Sequence, residues 1–217
     1  MTAELFEDMA PEKGAQTVMA PGAMLLHGLA RAVDAALLRG LEDVIASATL
    51  RHLTTPGGYT MSVAMSNCGP LGWVSDRSGY RYEALDPLSV RPWPVIPPCW
   101  MDLAVEAAVQ AGYQRFQPDA CLVNMYEPGA KLSLHQDKDE KDFSAPIVSV
   151  SLGLPATFLF GTGSRSDKPQ RHRLVHGDVV VWGGPARLAY HGVAPLADGE
   201  HPLLGRRRIN LTFRRAG

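Results

Sequence analysis

The 217-residue sequence has only three cysteines, Cys68, Cys99 and Cys121, and no C-x-x-C pair. An odd and scattered set argues against a disulfide framework or a zinc ribbon, and favours inert thiols in a reducing compartment. No run approaches the roughly 18 apolar residues of a membrane span. The N-terminus carries Glu4, Glu7, Asp8 and Glu12 where a secretory signal would place positive charge before an apolar stretch. A cytoplasmic protein that engages no membrane is the expectation. The formal net charge of −1 excludes strong whole-molecule attraction to nucleic acid, but leaves local patches open. There is no internal repeat and no extended basic tail.

What is present is the composition of a folded core, 46% hydrophobic and 20% charged, which excludes a disordered chain. The 21 glycines and 17 prolines favour a turn-rich β architecture over a helical bundle. Charge is uneven along the chain. From Arg165 to Gly217 there are ten basic and four acidic residues, a local excess that suits an anionic partner or, alternatively, a merely solvated face.

Residues 1–20 read as a loosely attached acidic arm, with a single domain over 21–217. Val33, Leu37, Leu41, Val44 and Ile45 recur at helical spacing and predict a helix near 31–47. A second is expected near 98–111, opened by Pro97-Pro98 and closed by Gly112. Between them, 52–98 is punctuated by Gly and Pro and holds one alternating strand, 60–66. From Ala120 onward short strands follow one another at 120–126, 147–153, 156–161, 171–175, 178–182, 187–191 and 207–213. Two helices and then many short strands predict an α+β fold, with a double-stranded β-helix (jelly roll) core over 120–217 and the helices packed on one sheet.

The segment His135-Gln136-Asp137 puts an imidazole and a carboxylate two residues apart, on one face of an extended chain and about 6.5–7 Å apart at the backbone. With a distant third ligand this pair makes the two-His-one-carboxylate set of non-haem Fe(II) oxygenases. Chance also supplies such pairs. His176-Gly177-Asp178 is a second, but it leads straight into Val179-Val180-Val181-Trp182 and reads as a tight turn opening a buried strand. His27, His52, His172, His191 and His201 remain open as third ligands, His191 standing out at a strand–turn junction before Gly192.

In Arg208–Arg214, Ile209, Leu211 and Phe213 share one face and Arg208, Asn210, Thr212 and Arg214 the other. Taken alone this is an ordinary half-exposed strand. Inside a barrel, two arginines about 20 Å apart along the backbone could lean together to grip both ends of a small dicarboxylate. Leu122, Asn124 and Tyr126 offer a matching face on 120–126.

These residues resemble the AlkB family of Fe(II)- and 2-oxoglutarate-dependent dioxygenases, and within it the bacterial DNA-repair branch. The resemblance runs through Thr54–Met65, Asn124–Glu140, Pro146–Pro155, His176–Gly184, Tyr190-His191-Gly192 and Arg208–Arg214, and covers roughly 22–217. It implies that His135, Asp137 and His191 are the catalytic iron ligands. It implies a 2-oxoglutarate site of Asn124, Met125, Tyr126, Arg208, Asn210 and Arg214, with Arg208 on the distal carboxylate. Trp73, Tyr80, Arg81, Tyr82, Asp139 and Arg165 become the nucleotide-recognition set, most of it on a lid within 52–98. Without the resemblance, Trp and Tyr in so Pro-rich a segment are more often packing residues.

The activity so implied uses Fe(II), 2-oxoglutarate and O2 to strip alkyl groups from N-alkylated bases such as 1-methyladenine and 3-methylcytosine, releasing formaldehyde, succinate and CO2. The expected partner is alkylated single-stranded DNA, with RNA or duplex DNA as alternatives, engaged by a monomer. The competing readings are an RNA demethylase or protein hydroxylase of the same family, and a non-catalytic metal-binding β-barrel that binds nucleic acid. A dicarboxylate clamp beside a complete triad counts against the last.

Overall fold

The structure, a computed structural model, describes residues 14–217. In chain order it runs β1 (Gln16–Ala20), β2 (Ala23–Leu26), α1 (Asp34–Ser47), β3 (Arg51–Thr54), β4 (Thr60–Cys68), β5 (Gly72–Asp76), β6 (Gly79–Glu83) and α2 (Pro98–Gln110). Eight further strands follow: β7 (Ala120–Tyr126), β8 (Leu132–His135), β9 (Ile147–Gly153), β10 (Ala156–Phe160), β11 (Gln170–Leu174), β12 (Val179–Trp182), β13 (His191–Val193) and β14 (Arg208–Arg214). A large sheet has the order β1-β2-β12-β9-β14-β7-β4-β3, a small one β11-β10-β13-β8, and β5-β6 stand apart as a two-stranded hairpin.

Side-chain alternation at period two divides the interior into two cores. Behind the large sheet, Val123, Val148, Val150, Val179, Val181, Ile209, Leu211 and Phe213 meet the apolar faces of the two helices. Leu37, Leu41 and Val44 of α1 are buried there, while Asp34 in its first turn complements the helix dipole. Pro98 opens α2, where a missing N–H costs nothing. Trp100 lies edge-on to Phe213 at 6.4 Å and donates its indole N–H to Leu37 O at 3.1 Å. Replacing so deeply buried a tryptophan with alanine would cost about 3–5 kcal/mol. Between the sheets, Leu122, Tyr126, Val180 and Trp182 face Phe158, Phe160 and Val193. That second space holds the candidate site.

The jelly-roll reading and the placement of the helices agree with this architecture, and 120–126 and 147–153 match their strands end to end. Four expectations need correction. Within the expected arm, 16–20 is strand β1, held antiparallel to β2, and 1–13 lie outside the described residues. The segment 52–98, expected to hold one strand, carries more: β3 and β4 extend the large sheet, and β5 and β6 form a separate hairpin. The core begins well before residue 120, because β1 to β4 complete the large sheet. Within 187–191 the chain leaves a 3-10 turn, Gly184–Ala186, and extends only from His191, since Gly184 at φ +49° and Pro185 favour the turn.

The His176-Gly177-Asp178 turn is structural, as expected. Asp178 accepts hydrogen bonds from Gly28 N–H at 2.9 Å and from Val175 N–H at 2.8 Å. Gly177 takes φ +88°, and a Cβ there would lie 2.4 Å from the Arg31 side chain.

Candidate metal and cosubstrate site

His135 ends β8 and His191 begins β13, and the two are register partners across that pair of strands. Gly192 makes the approach possible, since a Cβ there would lie 2.6 Å from Leu132 O. Asp137 follows two residues after His135. Its Oδ1 lies 3.7 Å from His135 Nε2, and its Oδ2 lies 3.7 Å from His191 Nε2. One ligand atom from each of the three side chains falls within 4.8 Å of the others.

The tautomers follow from the hydrogen bonds. His135 Nδ1 meets Ser133 O at 2.9 Å and His191 Nδ1 meets Ala189 O at 3.0 Å. A carbonyl only accepts, so each Nδ1 carries the proton and each Nε2 turns its lone pair toward the carboxylate. Two imidazole lone pairs and a carboxylate form a donor set that could hold Fe(II) on one face and leave the other positions open. Burial pushes the His191 imidazole down to about 4, with nearby His135 adding to the effect. At Asp137 burial acts upward, but the Arg214 guanidinium and the two imidazoles more than reverse it and hold the carboxyl well below its ordinary range. Both groups are therefore in their metal-binding forms near neutral pH.

The cavity between the sheets measures about 750 Å³ and joins this triad to the polar face of β14. Arg208 is buried at its floor, its guanidinium 4.9 Å from the Tyr126 ring centroid, with Nη2 donating to Ser151 Oγ at 3.0 Å. Its Nε and Nη1 have no partner among the described residues. Unmatched donors on a buried cation are costly, and a carboxylate would match them in the fork geometry that guanidinium favours. Asn124 and Tyr126 line the same cavity. Asn210 does too, but its amide already donates to Ser149 Oγ and Val150 O and accepts from Thr212 Oγ1. Arg214 holds Asp137 Oδ2 through Nε at 2.9 Å and Nη2 at 2.7 Å, so the two arginines do not form a symmetric clamp. Met125, expected in the cosubstrate set, is not in the cavity. The alternation that turns Asn124 and Tyr126 inward turns Met125 to the helix side.

At the cavity mouth, Trp73 of β5 stacks on Tyr80 of β6 with centroids 5.5 Å apart and planes 14° from parallel. Trp73 Nε1 donates to Asp139 Oδ2 at 2.8 Å, and Trp73, Tyr80, Asp139 and Arg165 all line the opening. Two other members of the expected recognition set are elsewhere. Arg81 is register partner of Val74, on the opposite face of the hairpin from Trp73, and is held by Asp76 and Glu83. Tyr82 lies below the opening, where its hydroxyl donates to Glu140 Oε1 at 2.7 Å.

Several residues of the site escaped the sequence reading. Ser149 and Ser151 were visible in principle, as the polar positions of an otherwise apolar alternating strand. Glu140 and Arg187 had no such signal: both are buried charged side chains in irregular segments, paired at 3.1 Å across 47 positions.

Residues 22–214 match the model of the 2OG-Fe(II) oxygenase superfamily. The chain is 56% identical over 213 residues to the alpha-ketoglutarate-dependent dioxygenase AlkB of Salmonella typhimurium, covering 98% of this chain and 97% of that one. It is 43% identical over 108 residues to the DNA N(6)-methyladenine demethylase ALKBH1C of Arabidopsis thaliana, a stretch that covers 45% of this chain and 24% of that protein. The solved structure of OsALKBH1 is similar with a TM-score of 0.80 and 29% identity, covering 93% of this chain and all of that one.

Proposed function

The chain belongs to the 2OG-Fe(II) oxygenase superfamily and, within it, to the AlkB alpha-ketoglutarate-dependent dioxygenases, and from that premise we propose that it oxidatively removes alkyl groups from N-alkylated bases in DNA. One observation carries the reading: a single cavity joins a His-Asp-His triad, an unpaired buried arginine and an aromatic wall with a carboxylate. The iron, when bound with 2-oxoglutarate and O2, supplies hydroxylation of the N-alkyl carbon, with succinate and CO2 as the cosubstrate's products.

In this reading His135, Asp137 and His191 hold Fe(II). Arg208, itself buried, binds the distal carboxylate of 2-oxoglutarate, with Asn124 and Tyr126 beside it. Trp73 and Tyr80 offer a stacked aromatic face, and Asp139 places a negative charge beside that face. This combination suits a flat, cationic base such as 1-methyladenine or 3-methylcytosine. Arg165, also in the cavity lining, adds a positive charge for the substrate backbone. Once hydroxylated, the N-methyl carbon is a hemiaminal, which collapses to formaldehyde and the repaired base. The triad sits inside the protein, so the base must leave its stack, which favours single-stranded DNA over duplex. Three free thiols support the reducing cytoplasm as its compartment.

The test is an anaerobic titration of the protein with Fe(II) and then 2-oxoglutarate, followed by turnover on methylated oligonucleotides. A visible charge-transfer band of the chelated cosubstrate is expected, together with formaldehyde release that is faster on single-stranded DNA than on duplex DNA or RNA. A band without demethylation of any methylated oligonucleotide would move the substrate outside nucleic acid.

A further inference from the structure

The stretch 136–146 connects β8 to β9 without regular structure, yet it carries the metal-ligand candidate Asp137. Backbone carbonyls in such a segment need donors from elsewhere in the fold. Arg187 supplies them. Its Nη1 donates to Asp137 O at 2.8 Å, its Nε to Ala145 O at 3.1 Å, and its Nη2 to Glu140 Oε2 at 3.1 Å. Its guanidinium also lies 5.2 Å from the Phe143 ring centroid. All three guanidinium nitrogens are thus in use, on points spread from one end of the segment to the other. Side-chain exposure is 4% for Arg187 and 2% for Glu140, so water does not substitute for these contacts.

Arg187 is also four residues before His191, at the end of the 3-10 turn that leads into β13. It therefore ties the segment bearing one candidate ligand to the segment bearing another. The charge arrangement around it is closed. Glu140 also lies 3.3 Å from Arg214, which in turn holds Asp137, so two cations and two carboxylates neutralise one another. Asp137 and Arg214 of this group line the cavity, whereas Arg187 and Glu140 stand behind them and are absent from the lining.

We propose that Arg187 is the positioning residue of the metal centre: its guanidinium fixes the backbone of the 136–146 segment to the approach of His191, and so sets where Asp137 presents its carboxylate. The proposal rests on the dioxygenase reading of the triad. A lysine at this position keeps the charge opposite Glu140 but lacks the planar fork that reaches three separated acceptors.

The experiment uses full-length protein, with Mn(II) as the metal probe and free Mn(II) counted by its paramagnetic resonance signal. R187K is expected to lower the metal-free thermal midpoint, because buried carbonyls lose their donors, and its folded fraction is expected to bind Mn(II) about 10–100-fold more weakly, the usual loss when support around a ligand is removed. Should R187K not fold, the double variant R187M/E140Q decides, because it removes one charge of each sign and leaves Asp137 paired with Arg214. Weakened Mn(II) binding by its folded fraction supports the proposal. Either folded variant binding Mn(II) as tightly as the parent overturns it, and leaves Arg187 as a contributor to stability alone. A parent that takes up no Mn(II) and decarboxylates no 2-oxoglutarate overturns the dioxygenase reading itself, and the proposal with it.

Discussion

The two ends of the cavity are built on different principles. At the inner end every ion but one is paired, Asp137 with Arg214 and Glu140 with Arg187 and Arg214, and each neutral imidazole donates to a carbonyl. The exception is Arg208, with two donors unmatched among the described residues. At the mouth, Trp73 and Tyr80 stack on a two-stranded hairpin separate from both main sheets, and one indole–carboxylate hydrogen bond reaches Asp139. The inner end is over-determined, as chemistry at one carbon demands. The mouth is instead held by side-chain hydrogen bonds, Asn67 to the backbone of Trp73 and Ser75 to Thr54 O, and Tyr80 stays exposed, as a surface that admits a base must.

The contrast can be broken most decisively at Asp137. Asp137→Ala removes one of three ligands and also strips Arg214 of its main partner, so 2-oxoglutarate turnover should vanish. Asp178→Ala, in the other H-x-D pair, should lower the thermal midpoint while the folded fraction keeps its turnover. Succinate assays on folded protein compare the two, and parental turnover by Asp137→Ala would refute the metal assignment.

Arg208→Ala should follow in size. Truncating one partner of a buried charge pair costs about 2–5 kcal/mol, which would appear as a raised 2-oxoglutarate requirement. Oligonucleotide affinity with Mn(II) in the metal site should hardly change. Equal losses for both ligands would show that Arg208 serves the fold rather than the cosubstrate.

The inner end should also show itself in the pH dependence of metal-free stability. Burial holds His191 near 4, below its ordinary 6.5, so between those values the unfolded chain binds the extra proton. Stability from this group is complete above about pH 6.5 and is lost as pH falls toward 4, by about 3 kcal/mol in all. Asp137, also held low, adds its own loss only at more acidic pH. Denaturant midpoints between pH 7 and pH 4.5 measure this, and His191→Asn should flatten the slope. An unchanged slope in that variant would mean other groups carry it.

The smallest expected effect belongs to the mouth. Asp139→Ala should weaken kcat/KM on the cationic bases 1-methyladenine and 3-methylcytosine by about 1.5–3 kcal/mol, the range of a charge-assisted contact. The neutral 1-methylguanine should lose much less. Matched single-stranded oligonucleotides differing only in the lesion would separate these outcomes. A uniform loss would mean that Asp139 acts by holding Trp73 rather than by reading charge.

How much of this was legible depended on whether the information was local. Strands such as 120–126 and 147–153 are runs whose alternation and apolar content mark both ends. The small strands β5, β6 and β8 were not, because four or five residues with Gly, Asp, Arg and Ser among them carry little period. His135 and Asp137 stand two residues apart, and their pairing is visible in extended geometry. His191 lies 56 positions later and joins them only through the register of β13 on β8, so spacing left five histidines open and the resemblance chose among them. Met125 and Arg81 show the reverse case: the period-two rule was available, and it places both away from the cavity. Arg187 and Glu140 were out of reach, since an irregular segment has no period and burial of a charge pair depends on the completed fold.

The charge group that includes Asp137 has a consequence for ionic strength. Its two cations and two carboxylates neutralise one another with side chains at most 9% exposed, and buried pairs are screened far less than surface ones, so added salt weakens them little. Under the proposed function, a DNA backbone approaching the opening would meet the exposed side chains of Arg165 and Lys131 in the cavity lining, where counterions compete directly. Raising salt should therefore divide the enzyme's two tasks, lowering turnover on oligonucleotides steeply while decarboxylation of 2-oxoglutarate without a base continues at nearly its low-salt rate.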